Sequence, residues 1–133
     1  MDAVSAGGNV VRRLKVVVPV LALVAVAAGC SSSEGEDEQR LTRLRENYCL
    51  YLGTWQEARN AAATVTPEST ANEEAELVGQ DVFVVMRPLR DETVSGGRTL
   101  GEETVLAINN GDGNAEAHVV RYCDDAGFET LTR

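Results

Sequence analysis

Lysine occurs once in this chain of 133 residues, at Lys15, and histidine once, at His118. Nucleic-acid binding needs a basic stripe, and 12 Lys and Arg against 21 Asp and Glu leave a net charge of −9, so no such stripe exists. Cysteine occurs three times, at Cys30, Cys49 and Cys123, and with Cys49 and Cys123 bonded to each other fewer Cys and His ligands remain than a structural zinc site needs. Histidine-assisted acyl transfer has His118 as its only base, and no Gly-x-Ser-x-Gly elbow presents a nucleophile to it. A single histidine in such a setting reads as a surface or packing residue. The chain has no internal repeat, and it is too short for the two lobes that close around a solute in transport-associated binding proteins. Its longest uninterrupted apolar run, Val16 to Ala28, has 13 residues. As a helix that run spans roughly 20 Å, short of the ~30 Å of a hydrocarbon core.

What is present begins with that run. Arg12, Arg13 and Lys15 precede it and small residues follow it. A positive region, a short apolar region and a small-residue boundary make an export signal. Arg12-Arg13 lacks the flanking residues of a twin-arginine signal, which points to the route for unfolded chains. The boundary reads Val26-Ala27-Ala28-Gly29-Cys30, followed by three serines. This resembles the lipobox of bacterial lipoproteins, with Ala27 where that family prefers leucine. The resemblance implies that Cys30 receives a diacylglyceryl group, that residues 1–29 are cut away, and that the body is held on the outer face of the bacterial cytoplasmic membrane. Cysteine parity agrees. An ordinary cut behind Ala27 would leave three thiols in an oxidising compartment, whereas lipidating Cys30 leaves Cys49 and Cys123 free to pair.

The remaining 104 residues carry nine arginines, no lysine and 20 acidic residues, a net charge of −11. That is one small domain. Anionic headgroups repel it, so its membrane partner is reached through the lipid alone. Residues 30–37, with Glu34, Glu36, Asp37 and Glu38, read as the lipidated cysteine and a flexible acidic tether. Residues 38–133 read as the folded domain.

Within that domain Leu41, Leu44, Tyr48, Tyr51, Trp55, Ala58 and Ala62 recur at alternating spacings of 3 and 4, one face of an amphipathic helix flanked by Cys49 and Leu52. Pro67 ends it. A second helix restarts at Thr66-Pro67-Glu68 or at Thr70-Ala71-Asn72-Glu73 and carries Ala71, Ala75, Val78, Val82, Val85 and Leu89 on one face. The β-branched run Val82-Phe83-Val84-Val85 and the later Pro88 leave a strand as the rival there. Thr99-Leu100-Gly101-Glu102 is a capping box opening a helix through Ile108. A last helix runs from Ala115 to Ala126 with Val119 and Tyr122 inward and Gly127 as cap. The pattern thus predicts an all-α, three- to four-helix up-down bundle stapled by one disulfide. The alternative is α+β, with a C-terminal hairpin pairing 104–108 with 118–122 across the Asn-Gly and Asp-Gly turn. Up-down order brings Cys123 beside Cys49, and the hairpin is compatible with that pair too.

Taken whole, the chain resembles small exported actinobacterial lipoproteins of unknown function: a lipobox, an early helix with Cys49 and Trp55, and a late Tyr122-Cys123-Asp124-Asp125-Ala126-Gly127-Phe128. The resemblance brings no active site with it. Asn110, Asp112, Asn114 and Glu116 alternate like calcium-loop ligands, but Ala115 stands where that loop needs glycine and Arg121 where it needs glutamate. Adjacent acids such as Glu102-Glu103 point apart on a helix and make no catalytic dyad. No cofactor or metal is expected. The expectation is a non-catalytic envelope module that binds a protein or cell-wall partner, with an apolar patch near Phe83 or Phe128. The alternative is a small carrier or enzyme with a carboxylate-lined pocket.

Overall fold

The computed structural model describes residues 31–67 and 69–131, and both Cys30 and the export signal expected of residues 1–29 lie outside them. Four helices make up the fold: α1 (Ser31–Ala62), α2 (Thr70–Met86), α3 (Leu100–Asn110) and α4 (Gly113–Asp125). α1 packs chiefly on α2 and α3 chiefly on α4, giving two helical hairpins joined by residues 87–99. Among the described residues there is no strand, only an isolated bridge between Thr93 and Thr99. The C-terminal hairpin is therefore set aside, because residues 104–108 and 118–122 lie in α3 and α4.

Local chemistry accounts for most boundaries. The hydroxyl of Ser69 accepts from the Ala71 amide and caps α2, so the capping residue is Ser69 and not Thr66 or Thr70. The β-branched run stays helical because Val82 and Met86 bury on the face shared with half-buried Val78 and Val85. Pro88 then sits in a short 3-10 turn, Arg87–Leu89, where it stops α2 without entering it. Thr99 and Glu102 form the reciprocal capping box of α3. Gly111, at φ 65°, terminates α3, and the Asp112 carboxylate accepts from the amides of Asn114 and Ala115 to start α4 two residues earlier than the pattern suggests. The polar run that imitates a calcium loop is thus a glycine stop followed by an aspartate cap.

Two expectations need correction. Residues 31–37 are not a coil tether but the first turns of α1, continuous with the rest of the helix. Serines without apolar spacing carry no helical signature, yet acidic residues such as Glu34 favour the positive end of the helix dipole. The buried face of α1 is also rotated from the aromatic stripe. Cys49, Leu52 and Gln56 are fully buried, whereas Tyr51, Ala58 and Ala62 are half-buried. The cause is that α1 is covered from two sides, by α2 and by α4.

The core gathers Tyr48, Leu52, Trp55, Val82, Leu89, Leu100 and Val119 around the Cys49–Cys123 disulfide, whose Cα atoms stand 5.7 Å apart. Tyr48 meets Tyr122 edge to face at 6.0 Å. The Thr104 hydroxyl donates its only proton to the Leu100 carbonyl at 2.6 Å, so the Tyr48 hydroxyl, 2.8 Å away, is the donor to Thr104. Burial pushes the Tyr48 phenol well above its ordinary pKa and keeps it a donor. Replacing both bonded cysteines by alanine opens a loop of 74 residues in separation, and urea unfolding should show a loss of about 4 kcal/mol. Tyr48→Phe should cost about 1 kcal/mol in the same assay, because one buried hydrogen bond is lost.

Candidate functional site

Three residues of α4, His118, Tyr122 and Asp125, recur at helical spacing and lie under the connection that runs from Glu92 to Arg98. Two clusters of similar composition fasten the ends of that connection. At its start, Glu92 takes the Arg45 guanidinium through contacts of 3.1 to 3.3 Å and the Tyr122 hydroxyl at 2.7 Å. Burial, reinforced by the Glu92 carboxylate, raises the Tyr122 phenol above its usual range, so it too remains a donor. At the far end, His118 Nδ1 lies 3.0 Å and Arg98 3.9 Å from the same oxygen of Glu103.

Between these anchors the chain turns through Gly96 and Gly97, at φ 93° and 83°. Gly96 sits on the imidazole: a Cβ there would stand 2.9 Å from His118 Cε1. Only glycine satisfies both the backbone and the contact. A polar cavity of about 310 Å³ remains beside the connection, walled by Arg45, Glu92, Ser95, Tyr122 and Asp125. The costliest group is Glu103. Its side chain is 1% exposed and its Oε2 is buried without a hydrogen-bond partner.

A second polar cluster crosses from α1 to α4. Glu116 accepts from Arg59 at 2.6 and 3.0 Å and from the Gln56 carboxamide at 2.8 Å. The same Arg59 guanidinium lies 4.5 Å above the Trp55 ring. Gln56 also accepts the backbone N–H of Leu131 at 3.0 Å, which fixes the C-terminal segment.

Chemically, these arrangements hold charges in place. Glu103 orients the His118 ring through Nδ1, and among the described residues no hydroxyl or thiol is hydrogen-bonded to the imidazole. Among the described residues no three His, Cys, Asp or Glu side chains converge as metal ligands. Cys49 and Cys123 are bonded to each other, as expected, and Cys30 lies outside the described residues. Phe83 and Phe128, near which an apolar patch is expected, are both half-buried against the core, and the large exposed apolar side chains include Leu50, Leu77 and Val84.

The buried polar residues Gln56, Glu103, Thr104 and Glu116 went unread because apolar periodicity passes over them. Their signal was register. Glu116 precedes Val119 and Cys123 at spacings of 3 and 4, and Glu103 stands between Leu100 and Ala107 at the same spacings. A charge at a core position of a helix is the mark to look for.

Gly96→Ala should destabilise the fold by about 1–3 kcal/mol in urea titration and shift the His118 ring resonances, since it forces a positive φ on alanine and strikes the imidazole. His118→Ala should cost about 1–3 kcal/mol by leaving the Glu103 carboxylate short of its hydrogen bond. Glu103→Leu should cost less than His118→Ala, because the partners it releases are 35% and 57% exposed and return to water. If Glu103→Leu proves the more damaging, Glu103 is a net stabilising group. Compared with protein-family models, with curated proteins and with solved structures, the chain finds no match.

Proposed function

We propose that this chain is a lipid-anchored, non-catalytic binding module of the bacterial cell envelope, held on the outer face of the cytoplasmic membrane through Cys30. The observation that carries the proposal is the fate of the cysteines. Two of the three are joined across the bundle, a bond that persists in oxidising compartments, and the third stands in the Ala28-Gly29-Cys30-Ser31 context behind an export-type segment. No helix among the described residues is long and apolar enough to cross a membrane, so a lipid on Cys30 supplies the attachment this reading requires.

The binding-module part rests on how the polar groups are used. Arg45 with Glu92 and Tyr122, and Arg59 with Gln56 and Glu116, hold helices and loops to one another. A ligand-carrier reading draws on one feature, a cleft of about 480 Å³ between α2 and α3. Trp55, Phe83 and Ile108 are among its apolar walls, with Gln80 and Asn109 among its polar ones. Its walls are mixed, and they are not the converging carboxylates that an enzyme of the alternative kind would use.

Cys30→Ser provides the test in cells. The native chain should sediment with membranes and show the mass of a diacylglyceryl-modified Cys30 as its first residue. The variant should leave the membrane pellet and carry no lipid mass. A variant that pellets as firmly as the native chain would overturn the anchoring.

A further inference from the structure

We propose that the cleft between α2 and α3 binds the acetamido group of an N-acetylated amino sugar, with the ligand carbonyl on the Trp55 indole N–H and the ring hydroxyls on the polar rim. This rests on the binding-module reading and names where that binding occurs and what it recognises.

The two helices pack only lightly on each other, and a volume of about 480 Å³ is left between them. That is within the range of small-ligand sites. Gly79, in the middle of α2, lines it. Glycine inside a helix costs stability relative to alanine, and here a Cβ would stand 3.2 Å from Ile108 Cγ2 and 3.4 Å from Trp55 Cδ1. The same approach shows how the indole lies. Its Cδ1–Nε1 edge is turned to Gly79, with Nε1 3.5 Å from that point. Trp55 is 4% exposed, and among the described residues no acceptor is hydrogen-bonded to its N–H. Arg59 lies over the Trp55 ring, also lines the cleft, and has its Nε–H buried without a partner. Unmet donors on two cleft residues mark a place for a ligand acceptor.

The walls narrow the ligand further. The Arg59 charge is already answered by Glu116, and Glu76 stands on the cleft, so a neutral carbonyl is a better acceptor there than a carboxylate. Ala75, Ala107 and Ile108 form an apolar lining that suits a methyl group beside that carbonyl. Gln80 and Asn109, both exposed, put carboxamides on the rim, which donate and accept as sugar hydroxyls require. A carbonyl, a methyl and hydroxyls in one small neutral molecule describe an acetamido sugar.

The test uses Trp55, the single tryptophan of the chain, as its reporter. The full chain is titrated with N,N′-diacetylchitobiose and with cellobiose, which keeps the rings and replaces each acetamido group by a hydroxyl. The acetylated disaccharide should change the Trp55 emission saturably, and cellobiose should bind about tenfold more weakly or worse, because the hydrogen bond to the indole is lost. Gln80→Ala and Asn109→Ala, both at exposed positions, should each weaken the acetylated sugar about threefold without moving the urea midpoint. No saturable change at tens of millimolar acetylated sugar, equal affinity for cellobiose, or affinity indifferent to both substitutions would overturn the proposal. So would tighter binding of octanoate, which would mark the cleft as a carrier of apolar acids. None of these results alters the fractionation of Cys30→Ser, so loss of the sugar site and loss of the anchor are separately visible.

Discussion

The Cys49–Cys123 bond fixes where α1 and α4 meet, and the remaining α1–α4 geometry is arranged around it. These two helices pack far less extensively on each other than α1 does on α2. Their meeting is covalent at one point, aromatic where Tyr48 meets Tyr122, and polar towards its edges. Arg45, through Glu92, reaches Tyr122, while Gln56 and Arg59, further along α1, reach Glu116. A sheet of apolar contacts would permit sliding by a turn. A bond with directional ties at either side of it admits one register.

Those ties do not come free of cost. Glu103 and Glu116 are carboxylates in positions that leucine would fill, and buried ion pairs often contribute less to stability than apolar groups of the same volume. What they add is uniqueness of arrangement. With Glu103 holding His118, and Gly96 resting on that ring, the 92–98 connection has one seat on α4. A small domain with few large aromatic side chains defines itself in this way through charge placement more than through shape.

How much of this could be read from the residues differs by feature. Helices with terminal signals were legible: Thr99 with Glu102 marked the start of α3 and Gly127 the end of α4, whereas α3 runs on to Asn110, past the expected Ile108, and is stopped by Gly111. The bonded cysteines were legible because Cys30, in its lipobox-like stretch, stands apart from the other two and leaves Cys49 and Cys123 as the pair. The start of α1 was not, since a run of serine and glutamate lacks the apolar spacing that identifies a helix, and only its continuity with Leu41 onward extends it. The rotation of the α1 face was hidden for another reason. Periodicity finds an apolar stripe, but which residues at its edge are buried depends on where the neighbouring helices lie, and Gln56 is buried by α4 and the C-terminal segment from a position that composition marks as polar. The links of Glu92 to Arg45 and Tyr122 and of Glu103 to His118 join residues 15 to 47 positions apart, so no local pattern holds them.

The early turns of α1 carry a mechanical consequence. Residues 33–40 are exposed throughout and helical, so α1 runs on past the packed body as a rod of roughly 12 Å for eight residues. A rod conveys rotation as well as distance, which a coil does not. Whatever grips the chain at its beginning sets the azimuth of the entire bundle, and one residue inserted at Gly35 would swing the C-terminal segment and the 92–98 connection by about 100° around the helix axis.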